Sequence, residues 1–148
     1  MGKSNKNLLE REVNDLISKK VQSDCLLVLR ELRLHPCEMD IVIFDPKTLH
    51  LAALEIKRIN WRELLRQTIR AKLYCHFSIG VMPVSMRHSV PLEEFAYRGI
   101  GVFFYEASYK TINLSVAVRP TVSNEINRSL KQQIYREFYS RYGERVHA

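Results

Sequence analysis

Apolar residues recur at helical spacing between residues 7 and 20, where Leu8, Leu9, Val13, Leu16 and Ile17 form a stripe among Glu10, Arg11 and Asp15, so the segment predicts a helix. Residues 26 to 34 are apolar enough for a strand, although Arg30, Glu31 and Arg33 blur the pattern. Two further runs, 39 to 45 and 49 to 57, predict a hairpin. Beyond Asp40 the first of these is apolar on both faces (Ile41, Val42, Ile43, Phe44), which places it inside a sheet. Between them, Asp45, Pro46, Lys47 and Thr48 suit a type I turn, with Asp at the first corner and Pro at the second. If Asp45 faces Thr48, Asp40 sits opposite Ala53.

Asn60 then opens a helix predicted to run to about Cys75, with Glu63 three residues on as in a capping box. A continuous apolar stretch at 77 to 84 reads as a buried strand. Residues 91 to 98 form a short predicted helix between Pro91 and Gly99. Strands are expected at 101 to 106 and at 111 to 118, the latter at an edge, and a closing helix at 124 to 142 carries Ile126, Leu130, Ile134 and Phe138 at steps of four. The order α, three strands, α, β, α, β, β, α implies an α/β fold: a mixed central sheet with helices on both faces. No repeat, low-complexity tract or linker divides the chain, so residues 1–148 are expected to form a single domain.

Composition changes this picture in one respect. The 148 residues are 46% hydrophobic and 26% charged, ordinary for a soluble globular protein, but 23 Lys and Arg against 16 Asp and Glu give a net charge of +7. Such a balance favours a polyanion, nucleic acid before an anionic membrane. No apolar run approaches the roughly 20 residues needed to span a bilayer, and the first residues carry no signal-peptide core. Three widely spaced cysteines, Cys25, Cys37 and Cys75, fit reduced thiols and a cytoplasmic location.

Side chains alternate along a strand, so Glu55 and Lys57 project from the same side, and the hairpin brings Asp40 to that side as well. Two acids and an ammonium then converge beside a small residue. Phosphodiester hydrolysis near neutral pH needs an activated water and a sink for negative charge, which a hard cation on one or two carboxylates supplies. Asp40 and Glu55 are the candidate ligands, with the Ile56 carbonyl as an additional oxygen. Lys57 could orient the attacking water or stabilise developing charge. A bare Glu-x-Lys is common by chance, and the bland alternative is a solvated ion pair.

In these motifs the chain resembles the PD-(D/E)xK nuclease superfamily, with its restriction-endonuclease-like fold. The matching features are Met39 and Asp40, then Glu55, Ile56 and Lys57, then Trp61, Gln67 and Tyr74, and Gly99 and Gly101 before a late strand. Met39 stands where the family name has Pro. The resemblance implies metal-dependent endonucleolytic cleavage of DNA, supported by Mg²⁺ with Mn²⁺ able to substitute, and a catalytic set of Asp40, Glu55, Lys57 and Gln67. It also admits members that keep the fold and lose catalysis, so a nucleic-acid- or protein-binding module is the alternative. Glu10 looks like the first-helix acid that completes the metal site in some members, Holliday-junction resolvases among them, with Glu12 and Asp15 as competitors.

Arg58, Arg62, Arg66 and Arg70 step by four, and the last three align along one helix face, as expected of phosphate contacts. Trp61 reads as core packing rather than a base-stacking platform. Zinc is not expected: His35 with Cys37 and Cys75 with His76 match no common structural spacing. Tyr135, Phe138, Tyr139 and Tyr142 read as packing or a seam in a possible homodimer.

Overall fold

The computed structural model describes residues 9–22, 25–34 and 37–147. The first turn expected at residues 7 and 8, and His35, lie outside them. Helix α1 (Glu10–Val21) precedes three strands, β1 (Leu27–Leu34), β2 (Cys37–Asp45) and β3 (His50–Ile56). Then come α2 (Trp61–Ala71), β4 (Phe77–Pro83), α3 (Leu92–Tyr97), β5 (Gly101–Ala107), β6 (Ile112–Val118) and α4 (Arg128–Tyr142). The six strands form one mixed sheet in chain order. The pairs β1–β2, β2–β3 and β5–β6 are antiparallel, while β3–β4 and β4–β5 are parallel. The expected α/β architecture is therefore observed, with β6 at an edge.

Each parallel step carries a helix, because parallel neighbours cannot be joined by a tight turn. Val13 and Ile17 of α1 pack with Ile41, Leu54, Ile79 and Tyr105 on one side of the sheet. The other helices cover the opposite side. Ile134 and Phe138 of α4 meet Met39, Val42, Phe44 and Ala53 there, while Leu64 of α2 and Phe95 of α3 meet Met82, Val102 and Phe104. Among the described residues no helix is long and apolar enough to cross a membrane.

Three boundaries differ from the periodicity. The β2–β3 register pairs Asp45 with His50 and Val42 with Ala53, so the loop has four residues and Asp40 falls at the level of Glu55, not Ala53. The Leu49 N–H reaches the Asp45 carbonyl at 2.7 Å and the Lys47 N–H reaches the Asp45 carboxylate at 2.9 Å, which widens the expected turn. A two-residue slip keeps the paired residues 41–45 on their faces. Helix α2 stops at Ala71 rather than Cys75, because the carbonyls of Lys72 and Leu73 are taken by the Ser123 hydroxyl (2.8 Å) and the Asn127 N–H (2.8 Å). The same bonds hold residues 123 to 127 out of α4, which starts after Asn127 caps it by accepting the Leu130 N–H at 3.1 Å. At the start of α2 the cap is as expected on one side only. Asn60 accepts the Glu63 N–H at 3.1 Å, but the Glu63 carboxylate turns to Arg66.

Gly80 sets the distance between α2 and the sheet. It pairs with Glu55 in the parallel ladder, and a Cβ added there would lie 2.9 Å from Leu64 Cδ2 and 3.1 Å from its Cγ. Gly80→Ala should therefore push α2 outward and lower stability by about 1–3 kcal/mol, the usual cost of overpacking. Urea unfolding reads this directly, and an unchanged midpoint and slope would show that Leu64 rotates away without cost.

Candidate active site

The site begins where two strands part. In the β1–β2 ladder Arg30 pairs with Ile41 and Leu32 with Met39, but Glu31 and Asp40 between them do not pair, and Glu31 has φ 51°. The inward pattern of β2 changes parity at this point: Met39 and Val42, three apart, both enter the same core face. The β2–β3 ladder ends at Ile41 and Leu54. Beyond it the Asp40 carboxylate replaces a main-chain acceptor, taking the Ile56 N–H at 2.7 Å. The Asp40 carbonyl turns the other way and accepts the Asn14 side-chain amide at 3.0 Å. Both ends of Asp40 are thereby fixed.

Glu55 lies beside it, 2% exposed in the floor of the sheet. Burial, and then the neighbouring Asp40 carboxylate, push the Glu55 carboxyl up to about 9. Burial also raises Asp40 above the ordinary carboxylate range, and the Ile56 N–H opposes that shift. The charge of Lys57 acts on both acids in the stabilising direction, and that of Glu10 adds to the strain on Asp40. The structure therefore brings Asp40, Glu55, Lys57 and Glu10 into one neighbourhood. Lys57 is half-buried just past the end of β3, its N–H held by the Val81 carbonyl at 3.0 Å.

Glu10 accepts the Arg58 N–H at 2.9 Å, tying α1 to the turn after β3. Its competitors are engaged elsewhere: Glu12 accepts the Leu9 N–H at 3.2 Å, and Asp15 pairs with Lys19 and Arg30, each at 3.1 Å. Among the described residues no group of three or more His, Cys, Asp or Glu side chains is disposed to hold a metal ion. Asp40 and Glu55 still suit a hard cation, because two buried carboxylates that repel each other are relieved by one, and Mg²⁺ commonly takes one or two carboxylates. In an extended strand a residue's N–H and C=O leave on the same side. Since the Ile56 N–H points to Asp40, its carbonyl faces the same gap.

Helix α2 borders this gap. Gln67 donates to Glu63 at 3.3 Å, while its Oε1 is buried without a hydrogen-bond partner. Gln67 also lines a cavity of about 170 Å³ with Cys37, Glu38, Arg66 and Arg70. The charge of Glu55 acts on the Cys37 thiol in that cavity, so the acids are near it although they do not line it. The arginine row is less uniform than its spacing suggests. Arg66 donates to Glu63 at 2.9 Å, and the Arg62 guanidinium lies 4.5 Å above the Trp61 ring, which itself packs on the core. Arg58 precedes the helix, and its charge acts on the buried Tyr105 beneath α1, so it does not share the face of Arg62, Arg66 and Arg70.

Two contributors escaped the sequence. Asn14 is 4% exposed on the inner stripe of α1, where its Oδ1 accepts Arg30 Nε at 2.8 Å and the Ser18 hydroxyl at 3.2 Å while its amide holds Asp40. A polar residue between Val13 and Ile17 was the available signal. Glu63 was read only as a cap, yet Arg66 foremost, with Lys57 and Arg70 adding, holds its carboxyl below the ordinary range.

No family model matches this chain, and no curated protein matches it. A solved structure does: the SPO1766 protein of unknown function from Silicibacter pomeroyi, with a TM-score of 0.63 at 12% identity over 95% of this chain and 90% of that one. At that identity the likeness is one of fold alone.

The raised Glu55 carboxyl has a measurable sign. An acid held above its unfolded value of 4.5 costs nothing when protonated, and its cost grows as pH rises from about 4.5 towards about 9. In EDTA, Glu55→Gln should match the wild type near pH 4 and melt higher at pH 8, by about 3 °C for each kcal/mol relieved. Thermal unfolding across that range is the check, and a variant less stable at pH 8 than at pH 4, relative to wild type, contradicts it.

Proposed function

We propose that this protein is a metal-dependent endonuclease that hydrolyses phosphodiester bonds, with DNA as its substrate and Mg²⁺, or Mn²⁺ in its place, as its cofactor. The observation that carries the reading is the meeting of Asp40, Glu55 and Lys57 at the gap where β2 leaves β3. Buried carboxylates with raised proton affinity are arranged at a cost, and such costs cluster where chemistry is done. The resemblance to the PD-(D/E)xK nucleases in the same residues supports the reading independently of charge.

When bound, the cation supplies Lewis acidity and a water of lowered pKa. The protein's own residues do the remainder. Asp40 and Glu55 would hold the ion, with the Ile56 carbonyl as a neutral ligand. Lys57 orients the attacking water and meets the negative charge that grows on the phosphoryl oxygens. Water oxygen bonds to phosphorus, the bond to one ester oxygen breaks, and the proton released by water goes to solvent or to the departing oxygen. Gln67, which lines the small cavity beside α2 and keeps a buried oxygen without a partner, positions the water or a strand hydroxyl. Arg62, Arg66 and Arg70 contact flanking phosphates, Arg66 by exchanging Glu63 for phosphate.

A second reading rests on a specific observation. The net charge of +7 and the row of Arg62, Arg66 and Arg70 favour a polyanion whether or not it is cut, which suits a binding module that grips nucleic acid without turnover. A panel of labelled duplex, flap, junction and single-stranded DNA with Mg²⁺, Mn²⁺ or EDTA separates the two. Cleavage is expected with either metal and not in EDTA, and Asp40→Asn or Glu55→Gln should lower the rate at least ~100-fold with binding retained, a loss of transition-state stabilisation. DNA bound but uncut under every condition would favour the binding module. Cutting by both variants at the wild-type rate would remove these residues from the chemistry.

A further inference from the structure

A cavity of about 660 Å³ lies away from the acids, where the β2–β3 loop meets α4. Asp45 lies five steps along β2 from Asp40, so the two places are roughly 17 Å apart at ~3.3 Å per residue. The volume falls within the range usual for small-molecule sites.

Helix α4 divides its faces sharply. Ile134 and Phe138 point into the core. Lys131, Tyr135 and Tyr139 form one row at steps of four, and Gln132, Arg136 and Ser140 form the next, and both rows line the cavity. Phe44 and Leu49 supply apolar wall opposite, and His50 and His76 complete the rim. No Asp or Glu is among the described residues that line it, so there the cavity joins aromatic walls to a positive rim.

The walls are set before any ligand arrives. The Tyr135 hydroxyl donates to the Leu49 carbonyl at 2.6 Å, and its ring meets Phe44 edge-on at 5.5 Å. Leu49 stands at φ 64°, in the left-handed region that a bulky side chain rarely adopts, and it still presents a side chain 54% exposed at this mouth. His76 is oriented as well: the Leu51 N–H donates to its Nδ1 at 2.9 Å, so the neutral ring carries its hydrogen on Nε2 and offers a donor there. Burial, with His50 and Lys131 adding, lowers the His76 pKa and keeps the ring in that form at neutral pH.

We propose that this cavity binds a nucleotide, its base against Tyr135 and Tyr139 and its phosphate at Lys131, Arg136 and His76. Bases stack on aromatic rings irrespective of identity, and two cations with an N–H donor match a phosphate better than a neutral ligand. The occupant is either a free nucleotide or the phosphorylated end of a strand, which share this chemistry. The proposal goes beyond the nuclease reading and does not rest on it.

Calorimetric titration of the full-length protein in EDTA tests it, using the nucleoside 5′-monophosphates, their parent nucleosides, inorganic phosphate and a 5′-phosphorylated oligonucleotide. At least one monophosphate should bind with Kd below ~1 mM, at least tenfold tighter than its nucleoside or phosphate. The double variant Lys131→Glu, Arg136→Glu should weaken it at least tenfold, and Tyr139→Ala should weaken it while Tyr139→Phe, which keeps the ring, should not. Asp40→Asn should leave it intact even if the nuclease reading fails. Competition by the oligonucleotide would identify a strand end as the occupant, and its failure to compete would identify the free nucleotide. No saturable binding of any monophosphate, or equal binding by the charge-reversed and Tyr139→Ala variants, would overturn the proposal.

Discussion

The Asp40 carboxylate takes the Ile56 N–H where strand β2 ends its pairing with β3, and the layout of the acidic site follows from that substitution. A main-chain donor at the end of a ladder must find an acceptor. Here a side chain supplies it, so the strands can diverge without leaving the Ile56 N–H unsatisfied. The divergence opens the gap into which Glu55 and Lys57 look. It also places a carboxylate against a second buried acid, an arrangement that a hydrophobic pair would make more stable and that a cation would relieve.

The surroundings serve that geometry. Asn14 grips the Asp40 carbonyl from α1, and Glu10 grips the Arg58 N–H from the same helix, so one helix steadies both strands that bear the acids. From the opposite face, Gly80 lets Leu64 of α2 approach the ladder beside Glu55, which brings Gln67, Arg66 and Arg70 to the border of the gap. Stability is thus given up at two acids and recovered in the scaffold around them, the balance expected of a functional centre. The second cavity, at the far end of β2, shares the sheet but none of these residues.

Much of this was legible in the chain. Alternation, apolar runs and helix-capping residues located all ten principal elements, although β1 and β2 break their pattern at Glu31 and Asp40. The neighbourhood of Asp40, Glu55 and Lys57 was legible from the hairpin as well, although Asp40 reaches it past the end of the ladder, through its bond to the Ile56 N–H rather than by alternation. What stayed hidden depends on contacts distant in sequence. The early end of α2 and late start of α4 come from one set of bonds between residues 72–76 and 123–127, which no local propensity encodes. The unpaired level of Glu31 and Asp40 is likewise a property of two strands together. Arg58 fits the spacing of four but precedes the cap of α2, and its charge acts on Tyr105 beneath α1, a placement that only the fold reveals. The role of Asn14 needed the Asp40 carbonyl to be in view.

The central claim is that a divalent cation belongs between Asp40 and Glu55. Anomalous diffraction from crystals equilibrated with Mn²⁺ addresses it with the least intervening inference. The expected result is one strong peak in the gap, bonded to a carboxylate oxygen of each acid and to the Ile56 carbonyl, and lost in Glu55→Gln. An empty gap at saturating Mn²⁺, or an ion bound only at other sites, would contradict the account.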